Sequence, residues 1–290
     1  MSTMNKAFLL KALSKLPLNI LYLFGSIMYL VYYYILRYRK DIALNNLRNS
    51  FPDKNHQEIK KLLKHSYKNL AQFIAEAIKT ISISEDELAN RVKIVNQDIL
   101  DNFANSGQSV VLLAAHQCNW EWLLLASCLK LPFDIAAAYK PQPDEPLDKL
   151  MQEARSRFRG TLIPVKKFIM EVAKRKSAQR AFTIVADQTP HRGEEKYWTT
   201  FLNQDTAFFV GPQKIAWITN APVVFMGMKR VRRGHYEVEL KILAQPPYIK
   251  DGYEIIDRYV KEVEKQILKY PADWFWQYRK WPYKKPLYAD

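Results

Sequence analysis

The chain has 290 residues, of which 48% are hydrophobic and 25% charged, so it has enough apolar material for a substantial core. Glycine is scarce, at 8 residues, which excludes collagen-like and glycine-rich low-complexity chains. The formal net charge of +15 indicates an anionic partner: a nucleic acid, an anionic membrane surface or an acidic protein.

An uncharged run of 21 residues extends from Leu16 to Leu36, about the length needed to cross a bilayer. Twelve basic and three acidic residues lie in 1–68, so most of the basic excess adjoins this run. We predict an N-terminal membrane helix, with residues 1–40 as a membrane anchor. A buried or interfacial helix stays open because the run contains Pro17 and Asn19. A cleaved signal peptide is disfavoured, since no small-residue cleavage site follows.

Residues 41–80 are predicted to form helices that lead into the main domain. Apolar residues recur at three- and four-residue intervals after Asp53, which is the stripe of an amphipathic helix. The sequence SEDE at 84–87 is typical of a capping box that starts another short helix.

After residue 90, short apolar runs alternate with helical patterns, as in an α/β domain with a mainly parallel sheet. We take 41–290 as a helical entry segment followed by this domain. Helices are predicted at 98–107, 120–129, 148–158, 168–178 and 254–270. Strands are predicted at 92–95, 109–115, 133–139, 162–165, 181–186, 221–230 and 236–243.

The chemistry is predicted at the end of the buried strand 109–115, where His116 follows directly and Glu121 comes five residues later. On one continuous helix the two side chains would diverge by about 140°. They can meet if His116 lies in a turn and Asn119 caps a helix that carries Glu121 in its first turn. Glu121 would then accept a hydrogen bond from one imidazole nitrogen and leave the other basic. The competing interpretation is a hydrogen-bonded turn histidine, because this spacing also occurs by chance.

The sequence HQCNWE resembles the H-x-G-N-W-E form of the HX4D/E acyltransferase motif in the late acyltransferases of lipid A biosynthesis, the lauroyl/myristoyl transferases. The resemblance covers almost the whole chain. Similar stretches include IALNNLRNSFPD (42–53), AYKP (138–141), ARSRFRG (154–160), VADQTP (185–190), PVVFMGMKR (222–230) and PADWFWQYRKW (271–281).

This resemblance implies the glycerolipid acyltransferase α/β fold and transfer of an acyl chain from acyl carrier protein to a hydroxyl of a lipid A precursor. It also implies an anionic lipid acceptor and a location at the cytoplasmic face of a bacterial inner membrane. No metal or organic cofactor is expected, and no nucleic-acid partner, because the chain has no recognised nucleic-acid motif. The G-x-S-x-G, P-loop and HExxH motifs are absent from the sequence.

Carried over by resemblance, His116 is the general base and Glu121 its partner. Three positions depart from the family pattern: Cys118 replaces a glycine, Lys140 replaces an arginine, and 201–203 reads FLN where many members have FFG. We also predict reduced thiols, because the spacing of the two cysteines matches no metal or redox motif. The candidate substrate-binding residues are Asn119, Lys140, Arg157, Asp187, Gln188 and Arg230.

Two other functions stay open from the sequence. One is acyl transfer to a lysophospholipid or glycolipid on the same fold. The other is a non-catalytic membrane protein that binds anionic lipid. The sequence does not indicate the acyl length, the acceptor hydroxyl, the oligomeric state or whether the N-terminal helix spans the membrane or lies in its interface.

Overall fold

A seven-stranded sheet forms the centre of the protein in the computed structural model, which describes residues 3–175 and 178–286. The sheet order is β1-β9-β8-β2-β5-β3-β4, and every neighbouring pair is parallel except β8 with β9. The strands are β1 (Val92–Ile94), β2 (Val110–Ala114), β3 (Asp134–Tyr139), β4 (Thr161–Pro164), β5 (Arg180–Val185), β6 (Lys196–Phe201), β7 (Gln204–Phe209), β8 (Val223–Arg232) and β9 (His235–Ala244).

Helices precede, connect and follow these strands, which confirms the predicted α/β class with a mainly parallel sheet. They are α1 (Thr3–Ser14), α2 (Leu18–Leu30), α3 (Lys40–Ser50), α4 (His56–Lys79), α5 (Glu85–Arg91), α6 (Asp98–Asn105), α7 (Trp120–Lys130), α8 (Glu145–Arg155), α9 (Phe168–Lys174), α10 (Gly211–Thr219) and α11 (Glu254–Lys269). A π-helical segment, Val31–Ile35, continues α2.

The central strand β2 is buried along its whole length because both faces of the sheet are covered. Val111 and Leu113 belong to one apolar cluster, together with side chains of α11. Val110 and Leu112 point the other way, into a second cluster that contains side chains of α7. This two-sided burial explains why β2 is a continuous apolar run rather than an alternating one.

The structure corrects two predicted helices and adds a hairpin and a helix that were not predicted. Helix α4 begins after Asn55, not at Asp53, because Asn55 and Glu58 form a capping box. The β6–β7 hairpin and helix α10 were not predicted, although Asn203 at the hairpin turn has a positive φ that asparagine tolerates. The predicted helix over 168–178 ends at Lys174, and its residues 176 and 177 lie outside the described residues.

Helix α2 and the π-helical segment form the predicted apolar N-terminal helix, which is long and apolar enough to cross a membrane by length and composition. It packs along α4 rather than standing apart. A Cβ atom on Gly25 would lie 2.9 Å from the backbone oxygen of Ala71, so glycine permits the close approach of the two helices. Tyr22 donates a hydrogen bond to Glu76 across the same interface. The division at residue 40 stays a prediction, since these contacts join its two sides.

Candidate active site

His116 and Asp187 follow the carboxyl ends of two adjacent parallel strands. Ala114, the last residue of β2, pairs with Val185, the last residue of β5. Each site residue comes two positions later, so the register brings them to the same level of the sheet edge. Carboxyl ends of parallel strands are where open α/β sheets bind ligands.

The Asp187 carboxylate holds His116 at two points. One oxygen lies 2.6 Å from the imidazole Nδ1, and the other accepts the backbone N–H of His116 at 3.0 Å. The second oxygen also accepts the indole N–H of Trp274 at 2.8 Å. Burial alone would raise the pKa of Asp187, but the charge of His116 and the hydrogen bonds from His116 and Trp274 lower it below its ordinary value. Asp187 is therefore an anion that orients the imidazole.

The hydrogen-bond pattern assigns the tautomer of neutral His116. An ionised carboxylate only accepts hydrogen bonds, so Nδ1 carries the proton and Nε2 has a free lone pair. The side-chain amide of Gln188 donates to this lone pair, with Nε2 of the amide 3.2 Å from Nε2 of the ring. The imidazole is 18% exposed, so the ring is not fully enclosed in the core.

The predicted hydrogen bond between His116 and Glu121 is wrong. Both oxygens of Glu121 accept hydrogen bonds from Arg155, at 2.8 Å from Nε and 2.6 Å from Nη2. Glu121 lies in the first turn of α7, as predicted, but that turn places its carboxylate against the last turn of α8. Burial alone would lower the pKa of the Arg155 guanidinium, but the hydrogen bonds and charge of Glu121 and the charge of Asp148 raise it above its ordinary value.

The C-terminal residues 271–281, here called the C-terminal segment, fix the turn that carries His116. The backbone N–H of Phe275 donates to the carbonyl of His116 at 3.1 Å, and that of Cys118 donates to Asp273 at 2.9 Å. Cys118 has a φ of +56°, in the left-handed region. This conformation favours glycine, which explains why the family motif has glycine where this chain has a buried cysteine.

Asn119 caps α7, as predicted, by accepting the backbone N–H of Trp122 at 2.9 Å. Its amide nitrogen donates to the buried carboxylate of Glu76 at 2.7 Å. Glu76 also accepts the hydroxyls of Tyr22 and Tyr236. Because Asn119 is fully buried and both ends of its amide are occupied, its contacts here are structural; its substrate contact stays a prediction.

The three basic candidates lie in different surroundings. Lys140 directly follows β3, on the strand next to β5, and is exposed. Arg230 lies in β8, next to β2, and its guanidinium donates to Asp273 at 2.9 Å. Arg157 is not with them: it donates to the carbonyl of Thr80 at the end of α4.

Two neighbouring clefts lie near His116 and share two lining residues. A small one is lined by His116, Asp187 and Gln188 together with Trp274 and Phe275. A larger, partly open cleft shares Trp274 and Phe275 and lies between α4 and the C-terminal segment. Its other lining residues include Leu70, Phe73, Trp120 and Arg230.

The family model described as bacterial lipid A biosynthesis acyltransferase matches residues 3–283. The chain belongs to this family. It is therefore an acyltransferase of lipid A biosynthesis, as the resemblance of its motifs predicted. No curated protein matches the chain significantly.

Arg155, the partner of Glu121, was not among the residues predicted from the sequence. Arg155 stands in the quoted stretch ARSRFRG, two residues before Arg157, at the last turn of an amphipathic helix. That helical position was the available signal. Among the described residues, no group of three histidine, cysteine or acidic side chains is placed to hold a metal ion.

Lys280 is a second residue that was missed, and it lies beneath the Asp187–Gln188 loop. Its side chain is 1% exposed. The ammonium donates to the backbone carbonyls of Gln188 and Ala207, both at 3.3 Å, and lies 3.9 Å from the ring centroid of Phe208. Burial lowers the pKa of Lys280 to about 7, although Asp187 acts in the opposite direction. The loop after β5 therefore rests on a buried amine.

We predict that Arg155→Met lowers the free energy of unfolding by about 3 kcal/mol, because it leaves the buried Glu121 carboxylate without its partner. The double variant Glu121→Gln/Arg155→Met should recover most of this loss. The control is Arg175→Met, which breaks the exposed pair with Glu171 and should change little. Denaturant unfolding of the four proteins measures this, and equal losses for Arg155→Met and Arg175→Met would contradict the assignment.

We predict that Lys280→Met stabilises the protein most below about pH 7. The pKa of Lys280 is about 7 in the folded chain and has the ordinary lysine value in the unfolded chain. Between these two pKa values, the unfolded chain binds one more proton than the folded chain. Wild-type stability should therefore rise with pH across this window, by at most about 1.4 kcal/mol per pH unit from this group. Unfolding at about pH 6 and about pH 9 should show a shrinking gap between variant and wild type. A gap that does not depend on pH would contradict the prediction.

Proposed function

We propose that the protein transfers a fatty acyl chain from acyl carrier protein to a hydroxyl of a lipid A precursor, at the cytoplasmic face of the inner membrane. His116 is the general base in this proposal. The observation that carries it is the buried Asp187 carboxylate, which fixes the proton on Nδ1 and leaves Nε2 of His116 basic. Asp187 takes the orienting role that the sequence assigned to Glu121.

The reaction needs one proton acceptor and no covalent enzyme intermediate. The acceptor hydroxyl takes the place of the Gln188 amide at Nε2 of His116, because both donate to the same lone pair. The imidazole removes the hydroxyl proton while the oxygen attacks the thioester carbonyl and a C–O bond forms. The tetrahedral oxyanion then collapses, the C–S bond breaks, and the leaving thiolate takes the proton from His116.

Glu121 acts in this proposal through Arg155. A guanidinium has five N–H donors, and the two that bond Glu121 fix the plane of the group. The remaining donors can bind an anionic oxygen, either the oxyanion or a phosphate of the lipid. The acid of the HX4E motif would then hold a cation in position rather than a histidine.

The larger cleft is the proposed site of the acyl thioester. Its wall includes Phe73, Trp120 and Phe275, and the ring of Trp120 lies 4.9 Å from that of His116. Arg230 lines the same cleft, where it can contact a phosphate or the oxyanion. The exposed Lys140 suits the anionic partners, which are the phosphorylated acceptor and the acidic carrier protein. Arg157 lies against the end of α4, so its substrate contact is the least supported.

We predict that Asp187→Asn lowers the rate of acyl transfer by roughly 10³- to 10⁴-fold, as removal of the orienting carboxylate does in other histidine bases. The amide NH₂ must face Nδ1, since the other oxygen position receives two N–H donors. The ring proton then moves to Nε2 and the base is lost. His116→Ala should abolish transfer. The measurement is mass spectrometry of the product formed from acyl carrier protein thioester and a lipid A precursor.

The matched control is Asp257→Asn. Asp257 lies on α11 and accepts a hydrogen bond from the hydroxyl of Tyr197, so this variant should keep wild-type activity. A lysophospholipid offered in place of the lipid A precursor tests the alternative acceptor. Acylation of the lysophospholipid alone would reject the lipid A acceptor. Near-normal transfer by folded Asp187→Asn or His116→Ala would reject the base.

A further inference from the structure

The apolar N-terminal helix has one face against the protein and one face that is exposed in the part of the chain that the structure describes. The exposed side chains of α2 and the residues that follow it include Leu23, Phe24, Ile27, Leu30, Ile35 and Leu36, here called the apolar face. Leu23, Ile35 and Leu36 are each more than 60% exposed. A continuous apolar surface of this kind on a basic protein marks a binding surface.

The segments at both ends of this helix are hydrogen-bonded to side chains of α4. At the start, the ammonium of Lys79 donates to the carbonyls of Ser14 and Leu16, at 3.3 and 3.2 Å. At the end, the hydroxyl of Tyr67 donates to the carbonyl of Tyr38. Helix α1, which precedes α2, also packs against α8 of the α/β domain.

The contacts between these ends run in order along the two antiparallel helices. Tyr22 bonds Glu76, Gly25 lies against Ala71, and Tyr33 packs edge-on against Tyr67. A helix that crossed a bilayer in this arrangement would carry α4 with it. Helix α4 has exposed charges at Lys60, Lys61, Lys64 and Lys68, which a bilayer centre excludes.

Basic side chains flank the apolar face at both ends. Lys11 and Lys15 are exposed near its start. Near its end, the ammonium of Lys40 lies 3.9 Å from the ring centroid of Tyr33. Arg37 and Arg39 are exposed and lie within three residues of Lys40 in the chain, so these cations form one cluster.

We propose that the apolar face lies in the plane of one leaflet of an anionic membrane and that the chain does not cross the bilayer. Apolar side chains enter the acyl region while the flanking lysines and arginines reach the lipid phosphates. A second copy of the chain fits this surface less well, because it would bring two like-charged clusters together. The inference specifies how the protein sits at the membrane location proposed above, and it does not depend on the catalytic roles.

The first test compares the accessibility of two cysteines, Ala12→Cys in α1 and Lys54→Cys after α3, in sealed membrane vesicles of both orientations. Both positions are exposed. The native thiols are poorly reactive: burial raises the pKa of Cys128 to about 12 and holds the pKa of Cys118 well above its ordinary value. A membrane-impermeant maleimide should label both new cysteines from the same side. Labelling from opposite sides would show a spanning helix and overturn the proposal.

The second test uses a matched pair of substitutions, Ile35→Glu on the apolar face and Ile249→Glu outside it. Both isoleucines are 72% exposed, so neither change disturbs the core. Sedimentation with phosphatidylcholine vesicles, with and without phosphatidylglycerol, measures binding. Ile35→Glu should weaken binding by roughly tenfold or more, Ile249→Glu should not, and phosphatidylglycerol should strengthen it.

Equal binding of the two variants would overturn the proposal, as would self-association through the apolar face without vesicle binding. Neither test measures acyl transfer. Failure of the membrane arrangement is therefore distinguishable from failure of the proposed reaction.

Discussion

The catalytic geometry depends on one buried carboxylate, that of Asp187. It accepts three hydrogen bonds, two from His116 and one from Trp274, and it is 1% exposed. A buried anion is costly unless it is paired and hydrogen-bonded. These contacts supply the pairing, and they link the ends of β2 and β5 to the C-terminal segment. The hydrogen bonds that keep the carboxylate charged are therefore the same ones that orient the imidazole.

Most of the sheet could be predicted from the sequence, because buried parallel strands are recognisable apolar runs. The β6–β7 hairpin could not, since the burial pattern of β6 does not alternate clearly. The position of His116 at a strand end was also predictable. Its partner was not, because nearness in the sequence favoured Glu121, whereas strand order decides which carboxylate lies beside it.

For Glu121, the predicted position in the first turn of α7 is confirmed, but the predicted hydrogen-bond partner is wrong. Asn119 caps α7 as expected, and Glu121 lies in the first turn, but its partner comes from α8. Nothing in the spacing of His116 and Glu121 contains information about Arg155. Asn119 also reaches Glu76, which accepts Tyr22 from α2. The turn that holds the base is thus connected by buried hydrogen bonds to the helix that carries the apolar face.

The most direct test of this account is the tautomer of His116. Nitrogen NMR of the histidine-labelled protein, above the pH at which the ring is protonated, distinguishes a protonated from an unprotonated ring nitrogen. The account predicts a proton on Nδ1 and a bare Nε2, with the proton moved to Nε2 in Asp187→Asn. A proton on Nε2 in the wild-type protein, or no change in the variant, would contradict it.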